Sequence, residues 1–138
     1  MVRQKSVVSR KVRAVSNINS SFVGGNLVSD AVRYVSPVTG GTRLSFRVAS
    51  SGWNRSTNTD TVNYVNCVIF GKARCDRLEP YLFKGAHVTV SGELHSMSHR
   101  DAEGKAYDTT EIKVNILEID KADLVDYETE DDGEGSDA

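Results

Sequence analysis

Apolar residues in the middle of this chain recur at every second position, in short runs. In TRLSFRVASSGW (42–53), Leu44, Phe46 and Val48 alternate with Arg43, Ser45 and Arg47, the signature of a strand with one buried face. NYVNCVIFGK (63–72) sets Val65, Cys67 and Ile69 on one side and Tyr64, Asn66, Val68 and Phe70 on the other. AHVTVSGEL (86–94) turns Ala86, Val88 and Val90 inward, and TTEIKVNILEI (109–119) places Ile112, Val114 and Ile116 on one face. FVGGNLVSDAVRYV (22–35) reads as a first strand, bent or bulged at its glycine pair.

Between these runs lie turn signals. SPVTGG (36–41) is a turn, SGWNRSTNTDT (51–61) a polar hairpin tip, and SMSHRDAEGKAY (96–107) a polar loop. KARCDRLEPYLF (72–83) is the helix candidate, interrupted by Pro80 and stopped by the Lys84-Gly85 pair. The predicted order is β-β-β-α-β-β. That is an all-β chain with one short helix, in the order of a five-stranded OB barrel whose helix sits between strands 3 and 4. Strand order alone also fits other small β barrels.

The outward faces of the second and third strands change the picture. If the strand stays regular, Trp53 joins Arg43 and Arg47, and the neighbouring strand offers Tyr64, Asn66 and Phe70 with Lys72 one step on. Guanidinium groups interleaved with aromatic rings form the surface that single-stranded nucleic acid requires. The cations neutralise phosphates and each exposed ring stacks on a base for roughly 1–3 kcal/mol. Arg43, Arg47, Lys72 and Arg100 are the candidate phosphate contacts. The 96–106 loop, with His99, Arg100 and Lys105, occupies a place that OB folds use for binding. The bland reading buries these same rings against a second subunit or beneath an N-terminal arm.

Charge sharpens the contrast. Residues 1–122 hold all 17 Lys and Arg against 11 acidic residues, a net +6, while residues 123–138 hold eight acidic residues and no basic one, a net −8. A basic body with an acidic tail fits a polyanionic partner. The domain reading is therefore a basic arm or extra strand at 1–15, an OB domain at 16–121, and an acidic, disordered tail at 122–138. The β-branched valines of the arm argue against an amphipathic transit helix. No apolar run approaches a membrane span. Cys67 and Cys75 show neither CxxC nor ligand spacing, so a reduced, cytoplasmic setting is the simpler reading. His87, His95 and His99 with Cys67 lack zinc spacing, and residues such as Asp76, Glu79 and His87 show no nucleophile–base arrangement. No cofactor, metal or catalytic residue is expected.

Four segments in register, NLVSDAVRYVSPVTGGTRLSFRVASSGW, NYVNCVIFGKA, YLFKGAHVTVSGEL and DAEGKAYDTTEIKVN, resemble the bacterial-type single-stranded DNA-binding protein family over roughly residues 22–119. VIFGK and YLFKGAHVTVSGEL are the most specific. The resemblance implies an OB fold, usually tetrameric, that binds single-stranded DNA in replication, recombination or repair without enzymatic activity. It places the stacking rings on Trp53, Tyr64 and Phe70, the set chosen by alternation, and a fourth on His99 where the family has an aromatic. Tyr64 stands where Trp is frequent. The tail ends EDDGEGSDA, without the Pro- and Phe-containing tip through which housekeeping members dock replication and repair proteins. A phage- or plasmid-encoded member, nucleoid-associated or in a host cytoplasm, would show this pattern. The second reading is an OB interaction module of a replication or recombination complex; a cold-shock-like RNA binder fits the helix and segment order less well.

The charge split carries its own expectation: the tail competes with DNA for the basic face. Removing residues 123–138 is expected to raise affinity for single strands at low salt. Unchanged low-salt affinity would leave the tail a solubilising extension.

Overall fold

The computed structural model describes residues 17–120, 122 and 124–128. The arm at 1–15 and the tail from 129 onward lie outside the described residues. The elements are β1 (Ser21–Leu27), β2 (Val32–Val35), β3 (Thr42–Asn54), β4 (Thr59–Phe70), α1 (Lys72–Leu78) with a 3₁₀ turn at Glu79–Tyr81, β5 (His87–Arg100), β6 (Ala106–Ile119) and β7 (Leu124–Tyr127). Pairing runs β1-β5-β6-β4-β3 and returns from β3 to β1, which closes a five-stranded OB barrel; β2 adds to β3 and β7 to β6. The barrel is filled by Leu44, Phe46, Val48, Cys67, Ile69, Val88, Val90, Ile112, Val114 and Leu117, with Cys75 and Leu78 of α1 packed in.

Closure depends on two close backbone approaches. At Gly25, where β1 leaves β5 to meet β3, an added Cβ would lie 2.1 Å from the Ala49 carbonyl oxygen. At Gly92 it would lie 1.9 Å from that of Lys113. Gly92 marks a bulge: Ser91 faces Ile116 and Gly92 faces Val114, so Asn115 is the extra residue. The bulge reverses the inward parity of β6. Ile112 and Val114 point in, then Leu117 and Ile119 do, and Ile116, expected inside, is only half-buried.

Three element boundaries differ from the expectation. The first strand is two: β1 and β2 lie in turn along one edge of β3, and the chain between them is held off by Ala31 N–H on the Leu82 carbonyl (2.9 Å) and by the Asp30 carboxylate, which accepts the Lys84 N–H (2.8 Å). Both polar tips are mostly strand. The β3–β4 ladder continues unbroken to Asn54 opposite Thr59, and β5–β6 to Arg100 opposite Ala106. Side-chain polarity does not oppose pairing where both faces are wet, because the backbone bonds are satisfied in the ladder regardless. The turns that remain are short. Asn54 Oδ1 accepts the N–H groups of Ser56 and Thr57, and Asp101 Oδ1 those of Glu103 and Lys105, the local bonding expected of such residues in turns.

The fold also reaches further into the acidic segment than composition indicates. β7 lies within the expected disordered tail and pairs with Ile116–Ile119 of β6. Its anchor is Asp126, buried, whose carboxylate accepts Nε of the fully buried Arg74 and Nη2 of Arg77 (2.8 Å). The other Arg74 donors reach the carbonyls of Val114 (2.8 Å) and Asn115 (3.0 Å), at the bulge. One carboxylate thus ties α1, β6 and β7 together. Removing residues 123–138 would also remove this anchor, so the test of charge competition by the tail has to keep residues through Glu128. Asp126→Ala leaves the Arg74 cation buried without its counter-charge, which is expected to cost about 3–5 kcal/mol. Chemical denaturation of the variant should show it, and a loss below 1 kcal/mol would mean that solvent reaches Arg74.

Candidate nucleic-acid interface

Residues directly opposite one another in paired strands share a face. The register therefore sets out rows across the outside of the sheet: Tyr34–Arg43–Phe70, then Arg47–Asn66–Glu111, then Ala49–Tyr64, and Trp53–Asp60 near the tip. Trp53 is 57% exposed and Tyr64 56%. The Arg47 guanidinium carbon stands 4.7 Å from the Tyr64 ring centroid, and that of Arg43 stands 5.1 Å from Tyr34. Of the rings and cations chosen from alternation, Arg43, Arg47, Tyr64 and Trp53 lie on one side of the sheet, with Tyr64 and Trp53 exposed.

Phe70 is a correction. It is 8% exposed, and every residue from Cys67 to Phe70 is buried. The first half of β4 pairs with β3 alone, but from Asn66 to Val68 it is flanked by β6 as well. Side chains of the neighbours close over that end: Ser45 and Lys113 flank Val68, and Arg43 stands opposite Phe70. Alternation assigns Phe70 to the outer side of its strand, and at this end that side is covered.

His99 is likewise not a free ring. It stacks on Tyr107 with centroids 5.1 Å apart and an interplanar angle of 24°, and its Nε2 is 2.8 Å from Thr109 Oγ1. Tyr107 is the more open of the two, 48% exposed. The Asn66–Glu111 pairing puts the odd-numbered positions of this part of β6 on the Tyr64 face, so Tyr107 belongs to the same surface. The signal for it was present: Tyr107, Thr109, Glu111 and Lys113 alternate with the inward Ile112 and Val114. Treating 96–107 as a loop hid it.

The cations divide. Among the described residues Arg43 Nε is buried with no hydrogen-bond partner, and the Arg47 guanidinium stands over the Tyr64 ring without a side-chain hydrogen bond. Arg100 donates to the Gly104 carbonyl (2.8 Å) and Lys105 lies exposed in the same turn. Lys72 is exposed but matched, with Nζ 2.7 Å from Asp76 Oδ2. Lys72 and Arg33 hold the Asp76 carboxyl below the usual carboxylate range.

Burial pushes the Cys67 thiol up to about 12 and the Cys75 thiol up to about 11, so neither is a nucleophile near neutrality. Among the described residues no group of three His, Cys, Asp or Glu is placed to hold a metal, and no helix is long and apolar enough to cross a membrane.

Residues 18–120 match the Single-strand binding protein family. The chain belongs to that family. Among solved structures, the Plasmodium falciparum SSB complex with ssDNA matches with a TM-score of 0.64 at 20% identity, over 72% of this chain and 88% of that chain. At that identity the likeness is one of fold, and it agrees with the closed barrel described above.

The geometry makes a direct optical statement, since Trp53 is the single tryptophan. The free protein is expected to emit as a solvent-exposed indole and to be quenched efficiently by acrylamide. A blue-shifted, shielded emission would place Trp53 under a cover, in a subunit contact rather than on an open face.

Proposed function

We propose that the protein coats single-stranded DNA along the outer face of β3, β4 and the β5–β6 hairpin, largely without regard to sequence. The observation that carries this reading is the placement of Trp53 and Tyr64, half-exposed, on one face with Arg47 stacked on Tyr64, in a member of the single-strand binding family. Trp53, Tyr64 and Tyr107 stack on bases. Arg43, Arg47, Arg100 and Lys105 meet phosphates, and Lys72 contributes less because Asp76 shares its charge. His99 acts by backing the Tyr107 ring. Every base has a π face, which is why such a platform tolerates many sequences. The reading is of a binder and not an enzyme, one that shields strands exposed in replication, recombination or repair. The fold of a complex with ssDNA being the same fold adds to it.

The assembly reading is a homo-oligomer, a tetramer by family resemblance. It is supported by a row on the other outer face, Phe22–Ser91–Ile116–Tyr127, in which both terminal aromatics are exposed. A second copy laid over it would remove that apolar surface from water.

Titration of Trp53 fluorescence with oligo-dT and with matched duplex is expected to show strong quenching by the single strand, weakened by salt, and little by the duplex. Trp53→Ala and Tyr64→Ala should each lose about 1–3 kcal/mol of binding. Failure of any nucleic acid to alter the emission would sink the reading in favour of a protein-interaction module.

Phosphate contacts have a separate signature. Arg47→Ala is expected to weaken binding to all homopolymers alike and to shallow the log–log salt slope by about 0.7. Unequal losses between homopolymers would assign Arg47 to base edges instead.

A further inference from the structure

The Arg47–Tyr64 unit has a twin. Four residues earlier on β3, about 13 Å along the strand, Arg43 lies 5.1 Å over the ring of Tyr34. Tyr34 pairs directly with Arg43 and so shares the outer face of Tyr64 and Trp53. It is 46% exposed, and its phenol makes no hydrogen bond among the described residues. Arg43 Nε is buried beside it without a partner, and no carboxylate among the described residues pairs with this guanidinium.

The strand that carries Tyr34 is short, only Val32–Val35, yet its position is well set. Alternation turns Arg33 to the opposite side, where its guanidinium bonds Asp76 (2.7 Å) and Glu79 (2.7 and 2.9 Å). Three charge-assisted hydrogen bonds on one face therefore hold the ring on the other. A tyrosine kept in place with an open ring, no bond for its hydroxyl and a cation stacked upon it has no structural need for that exposure. It is what a base and its phosphate would meet.

We propose that Tyr34 and Arg43 form a further station for single-stranded DNA, with Tyr34 stacking on a base and Arg43 taking the adjoining phosphate. The strand then continues past Tyr64 toward the free edge of β2, and β2 belongs to the binding surface. The inference rests on the single-strand reading above, and its ligand is a further stretch of the same strand.

The test compares Tyr34→Phe and Tyr34→Leu with the unmodified protein, using oligo-dT of increasing length. Both variants keep an apolar side chain on β2, but only Phe keeps a π face. Tyr34→Phe should bind as the unmodified protein does. Tyr34→Leu should match it on the shortest oligonucleotides that quench Trp53, and lose about five- to hundredfold on longer ones, with an unchanged salt slope. Photocrosslinking of the unmodified protein to a 5-iododeoxyuridine-substituted oligo-dT, mapped by mass spectrometry, should place an adduct on Tyr34. Equal binding by all three proteins at every length, with adducts on Trp53 or Tyr64 and none on Tyr34, would overturn the station while leaving the main reading intact. Absence of any binding or adduct would remove the main reading, and this inference with it.

Discussion

Closing a sheet of five strands into a barrel this narrow forces backbones together, and Gly25 and Gly92 stand where a Cβ has no room. Much else follows from that constraint. The close approach at Gly92 goes with the Asn115 bulge, which re-aims β6 and brings Leu117 and Ile119 into the core. Strands bent in this way cannot pack along their whole length. The far halves of β3, β4, β5 and β6 leave the barrel as paired ribbons with water on both faces, and these ribbons carry Trp53, Tyr64 and Tyr107. The core and the proposed interface are two ends of the same strands.

On those ribbons the arrangement of charge decides what the surface can hold. An exposed cation–π contact is worth about 0.5–1 kcal/mol, less than the roughly 1–3 kcal/mol of a base stacked on an aromatic ring. On the proposed reading, the Arg47–Tyr64 contact is weak enough to give way to a base stacked on Tyr64. Among the described residues Arg47 has no carboxylate partner, unlike Lys72, whose ion pair with Asp76 would have to be shared or broken. Rings and free cations cluster on the face, while the matched ion pairs of Arg33, Lys72 and Arg74 secure the helix and the added strands.

The Arg74–Asp126 pair shows the opposite economy. Two buried charges are expensive to desolvate, and such a pair is retained only when its remaining donors are satisfied. Here the Val114 and Asn115 carbonyls complete the guanidinium, and Arg77 adds a second cation to the carboxylate. The result is specific rather than greatly stabilising. It selects one place for β7, and so fixes where the acidic segment leaves the fold.

Period-two alternation by itself determined the inward faces of β3 and β5. It put Arg43, Arg47 and Trp53 on one side of β3 and Tyr64 on the outer side of β4, while Pro80 and the Lys84-Gly85 pair marked the short helix between Phe70 and Ala86. These are local consequences of side-chain alternation and of turn-forming residues, and no long-range information is needed to read them. The family resemblance, carried by runs of residues, added the barrel. Only the tertiary structure decided what depends on neighbours distant in the chain. Phe70 is buried at the end of β4 where the strand, flanked by β3 and β6 up to Val68, runs into the helix. Ile116 faces outward because a bulge intervenes, and Tyr107 emerges because a polar stretch pairs as strand. Asp126, one acidic residue among eight in its segment, is buried because two arginines about fifty positions earlier meet it (a pairing that no local pattern records). Alternation assigns a residue to a side of its strand; whether that side is open depends on which other strands arrive.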